Sequence, residues 1–201
     1  MRKLKSLLLV ASCLVAITAA AQSSGNSNPV YDGTWWLSAP HDRQSGFLEG
    51  VADCLTWAVR EKGFNGTSDQ LQDKITAYYK NHPAQKTMLV TEVWQEVWHT
   101  PGESKPSDVE TWKNPHWYLN GLWWRQGSRD EQKGFLEGYL WCVRSRLSSG
   151  PKDYALSNEH YFNKLDQYIQ SHPGADDTPV ATTLSRFSAA TGVGSKRNRR
   201  F

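Results

Sequence analysis

The stretch Gly46-Phe47-Leu48-Glu49-Gly50 occurs twice in this chain of 201 residues, the second time as Gly134-Phe135-Leu136-Glu137-Gly138. When residues 32–60 are aligned with residues 120–148, at a constant separation of 88, 11 of 29 positions are identical. The other identical pairs are Gly33/Gly121, Trp35/Trp123, Trp36/Trp124, Asp42/Asp130, Gln44/Gln132 and Cys54/Cys142. Self-similarity in one register indicates a repeated structural unit, so we predict an internal repeat.

Both copies have the periodicity of helices. Between residues 46 and 60 the apolar side chains share one broad arc at 100° per residue. A second helix is predicted after Ser68, and it ends before His82-Pro83 because proline disfavours helical geometry in the preceding residue. A third is predicted over residues 87–98, and no alternating pattern indicates a sheet. We therefore predict an all-α fold of two tandem three-helix repeats related by a pseudo-two-fold, with irregular Trp-rich leader segments.

The first 21 residues have the pattern of a secretory signal. Basic residues precede an apolar run that ends in Ala19-Ala20-Ala21, and a lipoprotein cleavage box at Cys13 is the minor alternative. We expect an exported protein, periplasmic or secreted. The predicted segments are a signal peptide (1–21), a flexible N-terminus (22–31), helical repeat 1 (32–100), a linker (101–119), helical repeat 2 (120–187) and a disordered basic tail (188–201).

The charge distribution excludes a basic nucleic-acid-binding body. The formal net charge of +3 includes three basic residues of the predicted signal, and four more lie among the last six positions. The residues between these two segments carry a formal net charge of about −4, whereas a domain that binds nucleic acid has a basic surface. No later segment approaches the length of a membrane span, so we expect the protein not to span a membrane.

Small residues recur every four positions along the first helix of each copy, as Gly46, Gly50 and Cys54 in the first. This spacing lets another backbone approach closely, and glycine inside a helix costs about 1 kcal/mol against alanine, so a packing reason is implied. Either the two helices face each other, or each receives its own Trp-Trp segment. The first arrangement places Cys54 opposite Cys142, where they form a disulfide or remain two buried thiols.

Glu49 and Glu137 are the candidate catalytic residues. Glycoside hydrolysis needs two carboxylates whose environments shift their pKa values in opposite directions. The repeat predicts equivalent settings for both, which is unsuited to that asymmetry. The structural alternative, which we favour, is that each accepts a hydrogen bond from an indole N–H or a backbone amide of the preceding loop.

The candidate binding residues are tryptophans. The Trp35-Trp36 and Trp123-Trp124 pairs could form a stacking platform for a sugar such as peptidoglycan, but a packing role is favoured because the pairs recur at one place in the repeat. Unduplicated tryptophans such as Trp94 and Trp98 would mark a partner surface if exposed. The histidines show no metal spacing, and no cofactor motif, phosphate loop or nucleophile elbow is present, so we expect no metal and no cofactor.

The residues 46–53, the helix over 71–79, Asn81-His82-Pro83 and the following Leu89-Val90-x-x-Val93 together resemble a known family. It is that of the small periplasmic immunity proteins that neutralise peptidoglycan amidase effectors of type VI secretion. The resemblance covers residues 46–97 and, less closely, 134–187. It implies a helical fold and a protein partner. The chain departs from the family in its single Cys per copy, its tandem repeat and its Trp-Trp leader, and no effector-contact residue can be transferred.

Three functional hypotheses follow. The leading one is an exported, non-catalytic helical binding protein of the immunity or inhibitor type, acting on an effector or envelope enzyme. The second is a cell-wall-active protein that binds or hydrolyses peptidoglycan with Glu49, Glu137 and the Trp pairs. The third is a structural or stress-related periplasmic protein. The sequence does not indicate an oligomeric state.

Overall fold

The computed structural model describes residues 29–59, 68–98 and 118–188, and in these ranges the protein is all-α, as predicted. The predicted signal peptide with Cys13, most of the linker and nearly all of the basic tail lie outside the described residues. The first copy contains α1 (Gly33–Ser38), α2 (His41–Asp53) with its π-helical continuation (Cys54–Val59), α3 (Ser68–Asn81) and α4 (Val90–Trp98). The second contains α5 (Gly121–Gln126), α6 (Arg129–Arg146), α7 (Gly150–Asp153), α8 (Asn158–Ser171) and α9 (Val180–Ser185).

The expectation that the Trp-rich leaders are irregular was wrong. Both are short helices, α1 and α5, because the residue before each supplies an N-cap. The Asp32 side chain accepts hydrogen bonds from the backbone N–H groups of Thr34 and Trp35, and the Asn120 side chain accepts one from Trp123. Each leader is also tied to its own copy, since the Val90 N–H donates to Tyr31 and the Val180 N–H donates to Leu119.

Helices α2 and α6 face each other through their glycines, which is the first of the two arrangements that the spacing allowed. A Cβ on Gly46 or Gly50 would overlap backbone carbonyl oxygens of α6, and one on Gly134 or Gly138 would overlap those of α2. The contacts advance together along both helices, so α2 and α6 run in the same direction. These reciprocal contacts explain why glycine stands where a helix would otherwise prefer alanine. That the copies obey a pseudo-two-fold stays a prediction.

The packing of α2 against α6 also brings together Cys54 and Cys142, the two cysteines that are aligned in the repeat. A disulfide joins Cys54 and Cys142, with 6.1 Å between their Cα atoms and 88 residues between them in sequence. Both cysteines are fully buried. The bond closes a loop that contains most of the first copy, the linker and the first part of the second copy, so it constrains the unfolded chain strongly.

One hydrophobic cluster extends across both copies in the described residues, so the two predicted repeats share a core rather than each having its own. Its largest fully buried side chains include Trp36, Trp124, Tyr79 and Tyr161. Sharing a core suits units this small, because a short chain buries too little surface to be stable alone. No helix within the described ranges is long and apolar enough to cross a membrane.

Candidate functional site

The structure places three of the six candidate tryptophans in the core. Trp36 and Trp124 have no exposed surface, and Trp94 is 2% exposed. The Trp36 indole N–H donates to the Thr76 hydroxyl at 2.9 Å, and that of Trp124 donates to the Asp166 carboxylate at 3.1 Å. These indoles therefore offer no free ring to a ligand in this conformation.

The other candidate tryptophans are less buried. Trp35 and Trp123 are half-buried and pack against Phe47 and Phe135 respectively, at centroid distances of 4.9 and 5.4 Å. The side chain of Trp98 lies outside the described residues. A stacking platform would therefore have to use the remaining edges of Trp35 and Trp123, which supports packing as the main role of the two pairs.

Two glutamines that the sequence reasoning did not interpret hold the Trp helices in place. The buried Gln44 amide donates to the Trp36 carbonyl at 2.6 Å and to the Ala39 carbonyl, and Gln132 makes the matching bonds to Trp124 and Gly127. These bonds supply hydrogen-bond donors to carbonyls at and just beyond the ends of α1 and α5, where the regular intrahelical donors run out. The sequence does contain a signal for this role, because Gln44 and Gln132 are identical at aligned positions of the repeat.

Glu137 is paired with a cation. The Arg43 guanidinium of α2 donates two hydrogen bonds to the Glu137 carboxylate of α6, one of them from Nε at 3.0 Å. Both side chains are mostly withdrawn from solvent, at 30% and 12% exposure. The carboxylate raises the pKa of Arg43 chiefly through this side-chain hydrogen bond. Such a two-bond pair also fixes the relative position of α2 and α6.

Glu49 is in a different environment. Its Oε2 atom is buried and has no hydrogen-bond partner among the described residues. Burial, the largest cause, and the nearby charges of Glu131 and Asp69 together raise the pKa of Glu49 from 4.5 to about 8. A carboxyl with this pKa is largely protonated at neutral pH.

The prediction that the two glutamates occupy equivalent settings was therefore wrong, and one charge difference between aligned positions contributes to it, in addition to the burial of Glu49. Arg43 and Glu131 are aligned in the repeat, 88 positions apart. Across the interface, Arg43 pairs with Glu137, whereas Glu131 adds a second negative charge near Glu49. Neither glutamate makes the predicted bond to an indole or a backbone amide: Glu137 binds a guanidinium, and Glu49 Oε2 has no donor among the described residues.

One partly exposed aromatic side chain lies near Glu49. Tyr118 is 49% exposed, and Glu49 is among the charges that raise the pKa of its phenol after burial, the largest cause. Glu131 and Asp69 are the charges that act on Glu49 itself. We call the surface formed by Glu49, Asp69, Tyr118 and Glu131 the Glu49 face. It combines carboxylates with one aromatic ring beside the α2–α6 interface.

The equivalent surface of the other copy has different chemistry. A cleft of about 300 Å³ opens there, and its lining includes Tyr31, on which the charges of Glu137 and Arg43 act. Val30, Trp141 and Ser145 also line it, and they align in the repeat with Tyr118, Asp53 and Trp57 respectively. Both surfaces thus contain the repeated glutamate. Glu49 has the acids Glu131 and Asp69 nearby, whereas Glu137 is paired with the positive charge of Arg43.

The arrangement does not hold a metal in the described part of the chain, where no group of three or more His, Cys, Asp or Glu side chains could bind one. His82 and His172 each lie at the end of a helix, as predicted, and stack on Tyr78 and Tyr168 at centroid distances of 4.5 and 4.1 Å. Both are exposed, and each Nδ1 contacts the backbone carbonyl of its tyrosine.

No family model matches the chain, and neither a curated protein nor a solved structure matches it.

Proposed function

We propose that this chain is an exported, non-catalytic helical binding protein of the immunity or inhibitor type, and that its partner contacts the Glu49 face. The single observation that carries the proposal is the contrast between the two copies around the repeated glutamate. An internal arginine satisfies Glu137, while Glu49 Oε2 has no hydrogen-bond partner among the described residues and lies near the half-exposed ring of Tyr118. Aromatic side chains around a partly desolvated centre are typical of protein-binding surfaces.

Two further features support export and a protein partner. The Cys54–Cys142 disulfide suits an oxidising compartment, in agreement with the signal pattern of the first 21 residues. The resemblance of residues 46–97 to periplasmic immunity proteins favours an effector or an envelope enzyme as the partner. The shared core and the disulfide would present the Glu49 face on a rigid frame, which reduces the entropy lost on binding.

The proposal is tested by a pull-down against envelope extract and secreted effectors, with the E49Q variant in parallel. We expect the wild-type chain to enrich a protein and E49Q to lose it, because the neutral amide cannot pair with a cationic group of the partner. Asp177→Asn, a change at an exposed acid of the second copy, serves as the control and should retain the protein. Retention of muropeptides without any enriched protein would contradict the proposal.

A cell-wall hydrolase is the second candidate, and one observation favours it. The two glutamates have unlike environments, one with a pKa raised to about 8 and one held beside a guanidinium, and enzymes use such differences to separate acid from base. Against it, the charges that raise the pKa of Glu49 are those of Glu131 and Asp69. Glu137 is not among them, because it is paired with Arg43 instead. If E49Q combined with E137Q abolished peptidoglycan hydrolysis while the fold stayed intact, the hydrolase would replace the binding protein.

A further inference from the structure

The molecule contains an internal example of what the repeated glutamate binds. In the second copy, the guanidinium of Arg43 reaches across from α2 and occupies the Glu137 carboxylate. The position aligned with Arg43 is Glu131 of α6, whose negative charge acts on Glu49. Among the described residues, the surroundings of Glu49 thus keep the acceptor and have an acid where the donor stands beside Glu137.

The acceptor in the first copy is also incompletely satisfied. Glu49 Oε2 is buried without a hydrogen-bond partner among the described residues, and a buried polar atom without a partner is unfavourable. This observation is independent of the alignment. The half-exposed ring of Tyr118 lies near the same carboxyl. A cation placed there would meet a carboxylate and an aromatic ring together.

We propose that the Glu49 face binds the guanidinium of an arginine side chain from a protein partner, positioned against Glu49 as Arg43 is positioned against Glu137. The inference rests on the proposed function and names the chemistry of its partner. Arginine suits the site better than lysine, since its planar fork can donate two bonds to one carboxylate and stack on a ring.

Binding should depend on pH in one direction. The groups that face Glu49 are Glu131 from α6, Asp69 from α3 and the phenol of Tyr118, with Asp53 on its own helix. The acids favour the protonated form of Glu49, and a bound guanidinium favours the ionised form. Affinity should therefore rise with pH up to about 8 and then level off, because below that value the ligand must displace a proton.

The test uses the full chain and N-acetyl-arginine amide as the probe, followed by NMR chemical-shift changes, with the neutral citrulline amide for comparison. A single side chain should bind with a dissociation constant on the order of 1 mM at pH 9. The constant should rise by nearly tenfold for each pH unit below about 8. Equal binding of the citrulline amide, or an affinity that does not change with pH, would overturn the inference.

Variants separate the site from other acidic surface. Glu131→Arg supplies the cation that the first copy lacks, so it should abolish probe binding, and E49Q should do the same without adding a charge. Asp177→Arg introduces the same change of charge at an exposed position of the second copy and should bind the probe like the wild type. Binding that survives E131R or E49Q would refute the assignment. Probe binding without any captured protein would refute only the proposed function.

Discussion

Replacing Gly50 with alanine is expected to destabilise the protein, although alanine is the better helix former. A Cβ on Gly50 would lie far inside van der Waals distance of the Phe135 carbonyl oxygen, which is backbone and cannot rotate away. Helices α2 and α6 would have to separate, and overpacking of this kind costs about 1–3 kcal/mol. The combination with Gly138→Ala, whose Cβ would overlap the Phe47 carbonyl oxygen, should cost more than either change alone.

The measurement is thermal unfolding followed by circular dichroism. For a chain of this size each kcal/mol lowers Tm by roughly 2–4 °C, so a fall of several degrees is expected for Gly50→Ala. Gly174→Ala is the matched control, because no atom lies within 4 Å of a Cβ added at that position. Equal melting temperatures for the Gly50 variant and the wild type would show that α2 and α6 are not in backbone contact.

Removing the disulfide is expected to have an effect at least as large. The double variant Cys54→Ala with Cys142→Ala opens a loop of 88 residues. In the chain-entropy model a loop of this length stabilises the folded state by about 4–5 kcal/mol. Stability is expected to fall because the unfolded chain gains conformations when the loop is open. The contacts between α2 and α6 in the folded state should remain.

Urea unfolding with and without a thiol reductant makes the comparison. Reduction should lower the stability of the wild-type chain towards that of the double variant and should leave the double variant unchanged. Peptide mapping of the unreduced protein should recover residues 54 and 142 in one cross-linked fragment. Free thiols at both positions, in protein purified without reductant, would contradict the bond.

The sequence predicted a close backbone neighbour for the glycine helices, for a physical reason that is local, but left two arrangements open. Small residues at every fourth position leave one face of a helix without side chains, and only a close backbone neighbour explains the cost of Gly46 and Gly50. In one of the two arrangements, the position of Cys54 at the next step of the same spacing placed it opposite Cys142, and the sequence left open whether the two thiols are bonded. The Trp-Trp helices were missed because six residues are too few to show periodicity, and their caps at Asp32 and Asn120 were not recognised.

The unlike settings of Glu49 and Glu137 could not be predicted from the repeat alone. The alignment shows opposite charges at Arg43 and Glu131, but it does not show that these positions contact the glutamate of the opposite copy. That contact depends on α2 and α6 being in parallel register, which is a tertiary property. Identical residues in a repeat therefore share a backbone position without sharing an electrostatic environment.

The central claim is that the Glu49 carboxyl has no cationic partner in the described part of the chain, whereas the aligned Glu137 is paired with Arg43. The most direct test is a carboxyl ¹³C NMR titration of Glu49 in the wild-type chain and in Glu131→Arg. The account predicts a midpoint near pH 8 in the wild type, because burial and two neighbouring acids disfavour ionisation. In the variant a neighbouring guanidinium should lower the midpoint by more than a pH unit. A wild-type midpoint near 4.5, unchanged in the variant, would contradict the account.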